Sequence, residues 1–428
     1  MPETLRMAHA IRSRALRWLT LVLGVMGLAV GLWLLRPPAA PPIRLGVVHA
    51  LTGVMAGSER GLVDALTLAV EEINAQGGLL GRPLELVLAD SRSDWGHAAR
   101  EAERLIVAEG VSALFACWTS ACRLAVKPVV EKHRHLMFYA LQYEGLEQSP
   151  HIVYMGAAPN QQVIPGARWA MDRFGPRVYL VGSDYVFPRT ANVLIKDLVA
   201  ASGGEVLAER YVPLDVSQFG PLVEDIRQRG PDVVLNTLNG AGNQGFFREL
   251  AQAGLGQLPV VSFSVAEPEV REFLAGHFHA NHHAVWGYFQ SLPTPSNQRF
   301  VSRFQQRFGA DRVISDPMVT SHDAVRLWAT AVKESGTDNP AQINLSIGRM
   351  SVQGVSGIVT LDAYTRHLWR RVYVGQVRAD GQFTATEISE APVRPAPFPS
   401  YRSREDWREL VQSLSVTPHA VPVQGAGP

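Results

Sequence analysis

Short segments rich in hydroxyl, carboxamide and aromatic side chains recur along the 428-residue chain. They are Leu51–Gly57, Trp118–Ser120, Tyr139–Glu144, Ser183–Phe187, Asn236–Asn243 and Ser262–Glu267. Hydroxyls and carboxamides exchange hydrogen bonds with a polar molecule, and aromatic rings can line the same cavity. The segments therefore predict a binding site for a small polar ligand.

Catalysis is the competing interpretation of these residues. The chain has no Gly-x-Ser-x-Gly elbow, no phosphate-binding loop ending in Gly-Lys-Ser/Thr and no His-Glu-x-x-His motif. Ser183 follows Gly182, but no residue nearby supplies a base. We therefore expect a binding protein that is not an enzyme and needs no cofactor.

Each polar segment follows an apolar run, and amphipathic segments separate the runs. Ile43–Ala50 is typical of a buried parallel strand, and Gly61–Asn74 has the apolar spacing of a helix. The alternation continues in two series, which are separated near residues 157–165. This pattern predicts an α/β fold of two Rossmann-like lobes with parallel sheets, joined by crossing hinge segments. Ligands of open parallel sheets bind beyond the carboxyl ends of the strands, where the polar segments lie.

The pattern also predicts a division of the chain. The parts are a basic head with an anchor or signal segment (1–40), a first lobe (43–157 with 288–350), a second lobe (158–287 with 351–402) and a C-terminal tail (403–428).

Charge is nearly balanced over the chain, with 40 basic and 39 acidic residues, so no global field favours nucleic acid. The uncharged segment Trp18–Leu35 would span about 27 Å as a helix, close to the hydrocarbon core of a membrane. More positive charge precedes this segment than follows it, which keeps the N-terminus in the cytoplasm. We expect an inner-membrane anchor at residues 18–35 that holds the body on the periplasmic face; a cleaved signal peptide is the alternative.

Longer motifs resemble a known family. They are Trp118–Ser120, Tyr143–Glu147, Gly156–Gln162, Val181–Asn192, Asn236–Gly240 and Tyr288–Ser291. On these motifs, the chain from about Ile43 to Arg402 resembles the type I periplasmic binding proteins. Within that group it is similar to the urea-binding proteins of ABC transporters and to receptors of short aliphatic amides. The resemblance implies urea or a short amide as ligand, closure of two lobes around it and ABC transporter permease subunits as partners.

The resemblance further implies that Trp118, Ser120, Tyr139 and Tyr185 lie at the ligand. Urea is neutral and has one acceptor oxygen and four N–H donors. Ser120 opens a helix, so its hydroxyl and the nearby backbone N–H groups can meet a carbonyl oxygen, although a plain helix cap is the alternative. Tyr139 and Tyr185 can cover a flat amide with their rings, and core packing is the alternative for both. Trp118 can form either the wall of the site or part of the core.

Two further residues are candidates on their chemistry. The carboxamide of Gln142 is complementary to an amide ligand, against the alternative of a solvated loop residue. Asp184 can accept from N–H groups, against the alternative of a cap or turn residue.

Two other functions stay open on the sequence. An anchored amide sensor would share the fold and the site, and would differ only in the partner that detects the closed form. A branched-chain amino-acid receptor would need an acid for the ligand's ammonium, and Asp184 or Glu267 could serve.

Two cysteines and a cluster of four histidines could also form functional sites. Cys117 and Cys122 could oxidise outside the cytoplasm, but the demanding geometry of a disulfide favours two buried thiols. The cluster His277, His279, His282 and His283 lacks an evident convergent partner, so we expect a solvated loop and no metal.

Overall fold

The structure is a computed structural model that describes residues 40–273 and 281–416, together with Trp18, Gly24 and Met26. Among these residues no helix is long and apolar enough to cross a membrane. The segment 18–35 lies outside the described residues apart from the three just named, and so do His277 and His279. The expected anchor therefore stays a prediction.

Strands and helices alternate along the described chain. The strands are β1 Ile43–His49, β2 Leu84–Asp90, β3 Leu114–Ala116, β4 Met137–Tyr139, β5 Ile152–Tyr154, β6 Arg177–Ser183, β7 Glu205–Val212, β8 Val233–Thr237, β9 Val260–Ser262, β10 His282–Trp286, β11 Ser351–Gly354, β12 Gly357–Asp362, β13 His367–Leu368, β14 Tyr373–Val377 and β15 Phe383–Glu387. The helices are α1 Ala56–Ala75, α2 Trp95–Val107, α3 Ser120–Lys132, α4 Val163–Phe174, α5 Val186–Ala201, α6 Gly220–Arg229, α7 Gly242–Gln252, α8 Glu267–Phe273, α9 Pro295–Phe308, α10 Asp316–Ser335, α11 Pro340–Ser346 and α12 Arg404–Val416.

The strands form two sheets, and each sheet is the centre of one lobe. The first sheet has the order β11-β12-β13-β5-β4-β3-β1-β2 and is parallel from β13 to β2. The second has the order β15-β14-β10-β9-β8-β6-β7 and is parallel from β10 to β7. Antiparallel pairs are confined to one edge of each sheet. This arrangement confirms the predicted two-lobed α/β fold.

Both faces of the first sheet are buried, which explains the continuous apolar run of β1. Val47 packs in a cluster with Trp328 of α10, whereas Val48 packs in a second cluster with Val126 of α3. Successive side chains of a strand point to opposite faces, so helices cover the sheet on both sides.

The apolar spacing of the sequence predicts a helix at Ser120–Lys132 and a strand at Val233–Thr237, and α3 and β8 have these bounds. The same spacing predicts a helix at Thr190–Ser202, whereas α5 spans Val186–Ala201 and so begins four residues earlier. Pro188 lies in its first turn, where a missing backbone N–H costs the helix no hydrogen bond.

The sheet pairing differs from the predicted division in one place. Residues 351–368, which the sequence pattern places in the second lobe, form β11–β13 at the edge of the first sheet. His367 pairs with Tyr154 of β5. This long-range pairing has no local sequence signal.

The described chain crosses between the lobes at residues 155–162, 287–294 and 369–372. Arg370 joins these crossings: its Nη1 donates to the Met155 carbonyl at 2.6 Å, and its Nη2 pairs with the carboxylate of Asp316 at the start of α10. Gly287 lies so close to the guanidinium that any Cβ there would collide with it. The three crossings are therefore fixed to one another at a hinge around Arg370.

Candidate functional site

Loops at the carboxyl ends of parallel strands bring most of the predicted residues to one place between the lobes. Trp118 and Ser120 follow β3, Tyr139 ends β4, and Tyr185 follows β6 of the second lobe. The helices α3 and α5, which start from these loops, pack against each other. Burial and the electrostatic influence of nearby Tyr139 raise the pKa of Tyr185 well above its ordinary value. These four residues therefore meet at the interface of the two lobes.

Ser120 is the first residue of α3 and is 2% exposed. The cap of this helix is Thr119, whose Oγ1 accepts from the Cys122 N–H at 3.1 Å. The plain-cap interpretation of Ser120 is therefore wrong, and its hydroxyl serves another purpose.

The hydroxyl of Ser120 belongs to a buried charged network. Its Oγ donates to Glu144 Oε2 at 2.5 Å and accepts from Arg123 Nη1 at 3.0 Å. Arg123 Nη2 also donates to Glu144 Oε1 at 2.8 Å, and its Nε donates to Glu147 Oε1 at 2.9 Å. Ser120 is thus hydrogen-bonded to one anionic side chain, Glu144, and to one cationic side chain, Arg123.

Burial raises the pKa of Glu147, but Arg123 and Lys127 oppose it strongly enough that the pKa lies below the ordinary value. The Arg123 guanidinium, which is 0% exposed, lies over the rings of Tyr139 and Tyr143 at 4.9 and 4.4 Å. The N–H groups of the Arg123 guanidinium are therefore hydrogen-bonded within the protein, and its plane is packed against aromatic rings.

The two tyrosines of the site are neutral at physiological pH. Burial raises the pKa of both Tyr139 and Tyr185. The Tyr139 hydroxyl donates to the Trp118 carbonyl at 2.7 Å, which links β4 to the loop after β3. The ring of Tyr185 is tilted against Trp95 of the first lobe, with 6.4 Å between centroids.

Gln142 reaches from the first lobe to the second, so it is not a solvated loop residue. Its Nε2 donates to the Phe263 carbonyl at 3.0 Å and to Ser264 Oγ at 3.1 Å. Its buried Oε1 has no partner among the described residues. The carboxamide therefore presents an acceptor inside the closed interface.

Asp184 is turned toward its own helix. Its carboxylate accepts from Arg189 Nε at 2.6 Å, and its side chain is 32% exposed. This ion pair ties Asp184 to α5 of the second lobe, and Asp184 is more exposed than the other predicted site residues.

Cys117 and Cys122 form a disulfide, so the interpretation as two buried thiols is wrong. The bond ties the end of β3 to the first turn of α3 and brackets the segment Trp118–Ser120. His282 and His283 are buried in β10, which also contradicts a solvated loop for this half of the cluster. Among the described residues no group of three or more His, Cys, Asp or Glu side chains is placed to hold a metal.

The structure adds four residues to the predicted site residues. They are Trp95, Arg123, Glu144 and Asn239, whose Oδ1 accepts from Trp118 Nε1 at 3.4 Å across the lobes. Glu144 and Asn239 lie in strand-end loops that were recognised, and Trp95 closely follows β2. A position after the end of a strand could therefore have indicated Glu144, Asn239 and Trp95 as site residues. No sequence pattern indicated that Arg123 points into the site.

Two α/β lobes joined by crossing segments are the architecture that periplasmic binding proteins share. The model of the periplasmic binding protein domain matches residues 43–404. The chain belongs to this family.

Three proteins illustrate what the chain is similar to. A Leu/Ile/Val-binding protein homolog of Brucella melitensis is 24% identical over 364 residues, which are 82% of this chain and 91% of that protein. A solute-binding protein of R. palustris, solved with 4-hydroxybenzoate, has a TM-score of 0.74 at 23% identity and covers 83% of this chain and 98% of its own. A third similar protein is a branched-chain amino acid transporter substrate-binding protein of Streptococcus pneumoniae, solved with isoleucine. It has a TM-score of 0.72 at 19% identity, and the match covers 81% of this chain and 99% of that protein.

Proposed function

We propose that this protein captures urea or a short aliphatic amide outside the cytoplasm by closing its lobes, and delivers it to the permease of an ABC transporter. The proposal rests on the pairing of charges at the site. The site cation Arg123 is held by Glu144 and Glu147, and Asp184 is paired with Arg189. A neutral ligand needs no counterion, so it suits a site whose charges are already compensated.

The alternative of a branched-chain amino acid is less well supported by the same contacts. An ammonium group needs an anionic partner, and the sequence offered Asp184 and Glu267. Burial raises the pKa of Glu267 to about 8, so this carboxyl is largely uncharged at neutral pH. An aromatic acid, the ligand of the R. palustris structure, would need a cation that is not already bound by two carboxylates.

Titration calorimetry of the purified protein tests which of these ligand classes it binds. Urea, acetamide and formamide should give saturable heats, whereas leucine and 4-hydroxybenzoate should give none. Binding of leucine or 4-hydroxybenzoate without binding of any amide would contradict the proposed ligand class and leave the solute-binding fold unaffected.

We also propose that residues 18–35 stay attached and hold the body at the outer face of the inner membrane. The length and uncharged character of this segment support an anchor. The intact mass of the mature protein checks this: we expect the uncleaved chain, and a product that begins near Ala39–Pro42 would show a cleaved signal peptide instead.

A further inference from the structure

Ser120 has one hydroxyl hydrogen and two lone pairs, and the network accounts for most of this capacity. The hydrogen is directed at Glu144 Oε2, and one lone pair accepts from Arg123 Nη1. A carboxylate only accepts, so Glu144 cannot return a hydrogen to Ser120. The Tyr139 hydroxyl also lies close to Ser120, but its single hydrogen is directed to the Trp118 carbonyl. One lone pair of Ser120 is therefore left to meet a ligand.

We infer that Glu144 fixes Ser120 as a hydrogen-bond acceptor, and that Glu144 thereby selects ligands that present an N–H group to Ser120. This inference deepens the proposed function and rests on it. It reverses the expectation from the sequence, in which the Ser120 hydroxyl donates to a carbonyl oxygen. Glu144 is a positioning residue here, because it acts on the ligand through Ser120.

The network leaves Ser120 little freedom to turn its hydrogen elsewhere. Rotation of the hydroxyl would break a charge-assisted bond and set two acceptor oxygens against each other in a buried site. Glu144 is 1% exposed and is held on its other oxygen by Arg123, which is in turn held by Glu147. Glu147 also accepts from the Tyr154 hydroxyl at 2.9 Å.

Glu144→Gln should invert the polarity of Ser120 with little change in shape. Arg123 Nη2 needs an acceptor, so the carboxamide oxygen of the variant faces Arg123 and its NH2 group faces Ser120. Ser120 then accepts from this NH2 group, and its own hydrogen is released toward the ligand. The variant should therefore favour a ligand that presents an acceptor.

Acetamide and acetate are suitable probes because they have nearly the same shape. Acetamide presents an N–H donor where acetate presents an oxygen acceptor. We expect Glu144→Gln to shift the ratio of acetamide Kd to acetate Kd by about tenfold or more toward acetate, the effect of one buried hydrogen bond. Glu147→Gln is the matched control for charge. It removes the same charge from the same guanidinium but does not contact Ser120, so it should shift the ratio by much less.

Two more variants tie the effect to Ser120 itself. Ser120→Ala should weaken acetamide by about tenfold and leave acetate unchanged or tighter, because the parent hydroxyl presents a lone pair to the ligand. In the Ser120→Ala background, adding Glu144→Gln should no longer shift the ratio beyond the effect of Glu147→Gln. The single variant Ser120→Ala introduces no polar group. Its effect on acetamide and acetate therefore still tests the inference if Glu144→Gln does not fold.

The outcomes separate the two proposals. If the parent binds no amide, the proposed function is wrong and the inference falls with it. If the parent binds acetamide but Ser120→Ala weakens acetamide and acetate equally, the hydroxyl donates to the ligand and only the inference is wrong. The inference is also wrong, and the proposed function unaffected, if Glu144→Gln and Glu147→Gln shift the ratio alike.

Discussion

Tyr185 is the ring that the second lobe contributes to the site, facing Tyr139 and Trp95 of the first. Tyr185→Leu should weaken acetamide binding by about tenfold, because it removes the ring that covers a flat amide. Tyr185→Phe separates the roles of ring and hydroxyl: a small loss assigns the effect to the ring, and a large loss assigns it to the hydroxyl. Calorimetry measures both.

Because Tyr185 is 2% exposed, these variants also lose packing, and thermal melts must show that each is folded at the titration temperature. Tyr364→Leu is a control at an exposed position, where the side chain is 67% exposed. Unchanged affinity in Tyr185→Leu would place the ligand away from this ring.

Glu267 is a second residue with a testable property. Its side chain is fully buried, its Oε1 accepts from the Gln290 N–H at 2.7 Å, and its Oε2 has no partner among the described residues. Burial, with Glu269 and Asp316 nearby, raises its pKa to about 8. The folded protein therefore keeps a proton that the unfolded chain releases near pH 4.5.

It follows that the free energy of unfolding should fall as the pH rises from about 4.5 to about 8, by at most about 1.4 kcal/mol per pH unit from this group. Glu267→Gln removes the ionisable group, so the variant should equal the parent near pH 4.5 and exceed its stability by about 3 kcal/mol near pH 7, which is about 2.5 pH units further. Denaturant unfolding across this range measures the difference, with exposed Glu405→Gln as the control. A parent and variant with parallel pH profiles would show that Glu267 is charged in the folded state.

At the scale of elements, α12 and the segment before it form a strap across both lobes. Trp407 is 0% exposed and packs with Leu146 of the first lobe and Leu194 of α5 in the second. Its Nε1 donates to the Pro399 carbonyl at 2.8 Å, and Arg402 makes two bonds of 2.8 Å to Asp197. The Leu146 N–H donates to the Pro397 carbonyl at 2.8 Å. The C-terminal segment is therefore part of the folded body.

Trp407→Ala should lower the free energy of unfolding by about 3 kcal/mol, since it empties the centre of this apolar cluster. Arg408→Ala on the same helix is the control, because its exposed side chain should change stability by less than about 0.5 kcal/mol. Chemical denaturation compares the two. A loss below about 1 kcal/mol in Trp407→Ala would mean that α12 contributes little to the stability of the lobes.

At the scale of the whole molecule, the fold could be predicted because its signals are local. The apolar run of β8 and the helical spacing of α3 are contained within each segment, and both elements end where expected. The role of Ser120 could not be predicted in this way. It depends on Glu144, 24 residues further along, which meets Ser120 only when β3 and β4 pair. The partner of Asp184, in contrast, is Arg189, only five residues further along, so the local sequence could have predicted this ion pair.

The same distinction applies to the edge of the first sheet. Residues 351–368 have strand character that the sequence shows, but the lobe they join is decided by pairing with β5, some 200 residues earlier in the chain. A local pattern predicts an element, whereas its neighbours depend on the packing of the complete lobes.

Ligand-driven closure is the property of the whole molecule that this architecture predicts. The lobes touch through Trp118 and Asn239 and through Gln142 with Phe263 and Ser264, and three crossings meet at Arg370. Ser58 Oγ also donates to Glu269 Oε1 at 2.9 Å across the lobes, and Trp407 of the strap packs against both. A ligand that contacts both lobes adds to these contacts and should favour the closed form, so the free protein should be more open at the hinge. Small-angle X-ray scattering should give a smaller radius of gyration with saturating acetamide than without it. Tyr185→Leu at the same acetamide concentration should stay closer to the free form. Closure is contradicted if the parent curves coincide while calorimetry shows full occupancy, or if the free protein already scatters as the closed structure does.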